Sequence, residues 1–75
     1  MERYRNTGGN SGIYLYEIGD DYIIVQFNDG GTYLYNYSST GSSNVERMKS
    51  LALRGQGLNS FISTTVKKNY ASKIR

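Results

Sequence analysis

The sequence contains no cysteine, no histidine, no proline and no tryptophan. Without cysteine there is neither a disulfide nor a thiolate metal site. Without histidine the chain lacks the commonest metal ligand and the usual general base at neutral pH. No apolar run approaches the ~20 residues that span a bilayer. The opening MERYRNTGGN has none of the apolar stretch that a Sec-type signal needs. These absences lead us to expect a soluble, cytoplasmic protein. Charge is sparse too. Nine Lys and Arg against six Asp and Glu leave a net +3, which permits a polyanionic partner without demanding one.

Motifs that carry chemistry are equally few. Gly55-Gln56-Gly57 reads G-x-G, but it follows a helical pattern where a dinucleotide fingerprint needs a strand. Its plain reading is a helix-to-helix turn. Asp20, Asp21 and Asp29 sit in turn compositions, where aspartate is ordinary, and they lack the ligand spacing of a calcium loop. No nucleophile stands with a base and an oxyanion donor. The sequence therefore predicts a protein that is not an enzyme, with no metal and no cofactor.

What is abundant is tyrosine, eight in 75 residues. A tyrosine ring brings apolar area together with a hydroxyl that wants a partner. The length allows one domain with a thin margin of burial. Residues 1–11 are polar and glycine-rich and read as a flexible tail, with Arg3 and Arg5 giving it positive charge. Residues 12–75 read as a single domain.

Within it, Ile13 to Ile18 (IYLYEI), Tyr22 to Phe27 (YIIVQF) and Thr32 to Tyr37 (TYLYNY) are β-rich runs. Asn28-Asp29-Gly30-Gly31 between the last two is a hairpin signal, because Asp and Gly tolerate positive φ. Ile23, Val25 and Phe27 alternate and should face the core. Ser38 to Ser42 reads as a linker. Ser43 and Glu46 have the spacing of a capping box. Val45, Met48 and Ala52 recur at helical spacing from about Asn44 to Leu53. Gly55 and Gly57 stop that helix, and Leu58, Phe61, Ile62 and Val66 mark a second, short one. The fold class expected is α+β: a three-stranded antiparallel meander followed by two short helices packed on one sheet face.

Two readings of the tyrosines follow. Bases stack on rings displayed by a strand, and nearby cations hold phosphates. On that reading Tyr33, Tyr35, Tyr14 and Tyr16 are platforms, while Lys67, Lys68 and Lys73 with Arg54 supply the charge. On the other, Tyr33, Tyr35 and Tyr37 lie on the more apolar side of their strand and close the core. Tyr14 and Tyr16 would then be the surface pair.

The order of motifs is itself informative. Val25 to Gly30 (VQFNDG), Tyr33-Leu34-Tyr35, Gly55 to Asn59 (GQGLN), Ile62 and Tyr70 follow one another across nearly the whole chain. In this the chain resembles the KTSC domain, a small domain at the C-terminus of some lysyl-tRNA synthetases that also occurs free-standing in bacteria and phages. It departs from the family at Gly41-Ser42-Ser43, where a proline is usual, and at Leu58, where an aromatic is common. The resemblance implies the same α+β fold, points to RNA binding, and adds Asn59 and Tyr70 to the candidate residues.

The leading expectation is a binding module for RNA or another single-stranded nucleic acid, working through a Tyr-rich sheet face and the basic C-terminal segment. The alternative is a protein-interaction module, for example a phage or mobile-element protein that blocks a host factor or a bacterial defence system. Such a module would use a tyrosine-rich face or an open sheet edge. No membrane role is expected, and the chain would act as a monomer or a homodimer.

Overall fold

The computed structural model describes residues 1–7 and 12–75. The element order is β1 (Glu2–Arg3), β2 (Ile13–Ile18), β3 (Tyr22–Phe27), β4 (Thr32–Asn36), α1 (Tyr37–Thr40), α2 (Ser42–Arg54), α3 (Leu58–Phe61) and β5 (Ser72–Lys73). A π-helical turn, Ile62–Val66, continues α3. The strands form one antiparallel sheet in the order β1-β2-β3-β4-β5. The predicted meander is its centre and the helices follow it, so the α+β class stands. No helix among the described residues is long and apolar enough to cross a membrane.

The β3–β4 hairpin turns where Asn28 to Gly31 require it. The Gly30 N–H donates to the Phe27 carbonyl at 2.9 Å. Gly30 has φ 93, a value side chains resist. The Asp29 carboxylate accepts the Gly31 N–H at 2.9 Å, the local bond that makes aspartate a turn former.

Register then assigns the faces, since directly opposed residues point the same way. Tyr33 lies opposite Val25, Tyr35 opposite Ile23, and Tyr16 opposite Val25. Ile23, Val25 and Tyr35 are buried, together with Val45, Met48, Leu51 and Ala52 of α2, Leu58, and Ile62 and Val66 beyond it. Full burial of such aliphatic side chains contributes about 1.5–3 kcal/mol each. The helices thus cover the face that carries Tyr33 and Tyr35. The opposite face carries Leu15, Ile24 and Leu34, half-buried, with Glu17, Tyr22 and Gln26 among them.

Four sequence expectations need correction. Residues 1–7 are not a flexible tail: β1 pairs with β2, and Tyr4 is 3% exposed in the core. The Leu58 N–H donates to the Tyr4 hydroxyl, and Thr7 donates from its N–H to the Gly55 carbonyl at 2.7 Å. Gly55, with φ 73, caps α2 and admits Arg5, whose Cβ would lie 2.6 Å from a methyl at that position. Gly8 to Ser11 of the expected tail lie outside the described residues.

Tyr14 and Tyr16 do not share a face. Ile13 opposes Phe27 while Leu15 opposes Gln26, so Tyr14 is the extra residue of a β-bulge. Ile13 and Tyr16 turn inward and Tyr14 turns out. The Ser38–Ser42 linker is largely helix: Asn36 caps α1 by accepting the Ser39 N–H, so Tyr37, expected on the strand with the core-facing tyrosines, opens that helix at 38% exposure, and α2 begins at Ser42. Finally, the capping box does not form. Gly41 precedes α2 with no side-chain cap, and Glu46 instead bonds Tyr37 and Lys49.

Candidate nucleic-acid interface

At the hairpin end of the sheet an aromatic cleft opens between β4 and the segment that follows the π-turn. Its volume is about 260 Å³. Phe27, Tyr33 and Tyr70 form half-buried walls, and Tyr35 and Ile62 form the floor. Phe27 and Tyr33 meet edge to face with centroids 5.8 Å apart, as do Tyr35 and Tyr70 at 6.2 Å, while Tyr33 and Tyr70 are tilted at 4.8 Å. Such pairs lock ring orientation. The floor is dry. Burial, helped by the neighbouring Tyr33 and Tyr70, pushes the Tyr35 hydroxyl up to about 12.

The rim is basic because of one local reversal. The Lys67 N–H reaches back to the Ile62 carbonyl at 2.6 Å, completing the π-turn. Lys67 then adopts φ 47 and ψ −114, a backbone state that glycine favours and that costs another residue about 1–3 kcal/mol. The chain doubles back, the Ala71 N–H bonds the Leu34 carbonyl at 2.7 Å, and Tyr70 is laid against Tyr33 and Tyr35. Lys67 and Lys68 stand exposed at the mouth. π-turns concentrate at functional sites, and so do strained residues. Here both fall at one rim.

Tyr33 is also a wall of an adjoining cleft lined by Gly30, Gly31, Lys73 and Arg75. The Lys73 ammonium lies 5.8 Å from the Tyr33 ring centroid, within cation–π range. Asp29 touches both clefts. The arrangement offers flat apolar walls, a row of ammonium and guanidinium groups, and one carboxylate tied to its own turn.

The residues singled out from sequence separate accordingly. Tyr33, Lys67, Lys68, Tyr70 and Lys73 come together here. Tyr35 reaches the cleft only as its sealed floor, and Tyr16 is core at 8% exposure. Tyr14 is exposed at the bulge. Arg54 ends α2, and Asn59 sits half-buried near Gly12; neither lines the aromatic cleft. Sequence reasoning missed Phe27, placed only in the core. It also took Asp29 for a plain turn residue and left Arg75 out of the candidate set. Comparison with known proteins gives no matching family profile, no significantly similar curated protein and no significantly similar solved structure.

Proposed function

We propose that this chain is a non-enzymatic module that binds single-stranded nucleic acid, RNA foremost, at the hairpin end of its sheet. The observation that carries the reading is the aromatic cleft of Phe27, Tyr33 and Tyr70 with Lys67 and Lys68 at its mouth and Lys73 and Arg75 alongside. A base that enters gains roughly 1–3 kcal/mol of stacking on such rings. A duplex keeps its bases paired and stacked, so a splayed single strand fits better. The resemblance to the KTSC domain points the same way.

The test is fluorescence anisotropy with a labelled single-stranded RNA across a salt series. Binding should weaken linearly in log affinity against log salt, because association releases counterions. Lys67→Glu with Lys68→Glu should leave the thermal transition in place and weaken binding tenfold or more, about 1.4 kcal/mol. A salt-independent affinity, or an unchanged affinity in the double variant, refutes the reading.

A second reading has its own observation. Met1, Ile18 and Leu53 are exposed at 53%, 37% and 59% and line one cleft with Glu2 and Glu17. An apolar surface of this kind suits a protein partner or a second copy. Capture from bacterial lysate with and without nuclease separates the two readings: protein retained after nuclease treatment favours the second.

A further inference from the structure

The hairpin turn has a cleft on each side. Beyond Asn28 lies a space of about 240 Å³ lined by Arg3, Arg5, Asn6, Tyr14 and Asn28, with Tyr4 and Ile13 behind them. Its polar character comes from the two arginines and the two asparagines, and among the described residues no Asp or Glu lines it. The Arg3 guanidinium lies 5.7 Å from the centroid of the Tyr14 ring. Tyr14 is 44% exposed because the bulge turns it outward. An arginine plane resting on a tyrosine ring keeps its outer N–H groups free for a phosphate, and a base can join the stack.

Asn28 lines this cleft and its chain neighbour Asp29 lines the aromatic one. The turn is therefore a ridge between two sites of the same chemistry, rings with cations above them. Tyr14 stands on β2 and Tyr33 on β4, either side of β3. Their strands lie two spacings apart, about 10 Å, and the rings point to opposite faces, Tyr33 toward the helices and Tyr14 outward, so a strand joining them rounds the hairpin end over a few nucleotides.

We infer that Arg3, Arg5 and Tyr14 form a second subsite for the same single strand, which enters the aromatic cleft, crosses the Asn28–Asp29 ridge and lays its next nucleotides on the Arg3–Tyr14 stack. This rests on the reading of the aromatic cleft as a nucleic-acid site. The N-terminal segment then has two jobs. Tyr4 anchors it in the core, and the arginines on either side of Tyr4 meet the ligand.

The experiment compares a labelled dinucleotide with a labelled octanucleotide of the same RNA on the full chain. The wild type should bind the octanucleotide more tightly. Tyr14→Ala and Arg3→Glu should each weaken the octanucleotide about fivefold or more, leave the dinucleotide unchanged and leave the thermal transition in place. Arg5→Gln repeats the test with a milder charge change where Arg5 packs on Gly55. Arg47→Glu, exposed on α2 beside Glu46, controls for net charge and should affect neither length by more than about twofold. The subsite is overturned if Tyr14→Ala and Arg3→Glu weaken both lengths alike, if they weaken neither, or if Arg47→Glu matches Arg3→Glu. Failure of the wild type to bind either length removes the parent reading and this extension together. Octanucleotide binding that ignores Arg3 and Tyr14 removes the extension alone.

Discussion

At the β2–β3 end of the sheet, the Glu17 carboxylate accepts the Tyr22 hydroxyl, and Glu46 accepts both the Tyr37 hydroxyl and the Lys49 ammonium, the latter at 2.7 Å. Lys49 also donates to the Asp20 carbonyl at 2.8 Å. At the β3–β4 end, Lys67 and Lys68 line one cleft and Lys73 and Arg75 the adjoining one, and none has an ion-pair partner among the described residues. Both ends lie in water, where an ion pair contributes about 0–1 kcal/mol. Pairing is therefore too weak to explain the segregation by stability. Its effect is on what each end can offer. Unpaired cations on adjoining clefts, screened over a Debye length of about 8 Å, repel one another modestly and can attract a polyanion jointly. Charges already paired offer little to a visitor.

Tyr35→Ala probes that difference hardest. At 2% exposure the ring is core, and its truncation should cost about 3–5 kcal/mol in urea unfolding. Tyr70→Ala, on a half-buried wall of the same cleft, should cost about 1–2 kcal/mol and weaken RNA binding. Equal stability losses would erase the distinction between floor and wall.

Alkali gives the next largest effect. Burial keeps the Tyr35 phenol neutral to about 12, above the ordinary value of about 10 for an unfolded tyrosine. The stabilisation is therefore complete below pH ~10 and lost as pH rises toward 12. It amounts to about 2–3 kcal/mol at two pH units. Tyr35→Phe should flatten that decline in stability measured against pH.

Lys67→Gly sharpens the contrast with opposite signs. Relief of the backbone at φ 47 should raise stability by about 1 kcal/mol, while the lost ammonium weakens RNA binding. A destabilised glycine variant would show that Lys67 is not strained.

The smallest effect belongs to the acidic end. The Lys49 ammonium, with help from the Tyr37 hydroxyl, holds the Glu46 carboxyl below the usual range. Its contribution is thus present above the ordinary carboxylate value and fades as pH falls through the lowered one. Glu46→Gln should slightly reduce stability near neutrality, remove that part of the acid loss, and leave RNA affinity unchanged. A drop in RNA affinity would break the division between the ends.

The three central strands, the glycine stops and both helical stripes are legible in the residues because each rests on neighbours within a few positions. The candidate site is half legible. Tyr33, Lys67, Lys68, Tyr70 and Lys73 stand out by type, and they converge. Tyr16 misleads because the bulge at Tyr14 breaks the two-residue period, and nothing in IYLYEI announces an inserted residue. Arg3 and Arg5 read only as the charge of a loose tail because a polar, glycine-rich terminus looks the same whether or not one tyrosine in it finds a pocket. Tyr4 finds one beside Leu58, 54 positions away in sequence.

The sequence by itself determined where the chain extends, where it turns and which residues seek burial, since alternation, turn chemistry and helical spacing act over short distances. It also excluded thiol and imidazole chemistry outright. Only the tertiary structure decided which tyrosines were consumed by the core and which were left at the surface, and that Lys67, Lys68, Lys73 and Arg75 would gather at one end while Glu17 and Glu46 were bonded at the other. Those outcomes depend on register, on a one-residue bulge and on the docking of both termini at the sheet edges. Each is settled by long-range packing that no local pattern encodes.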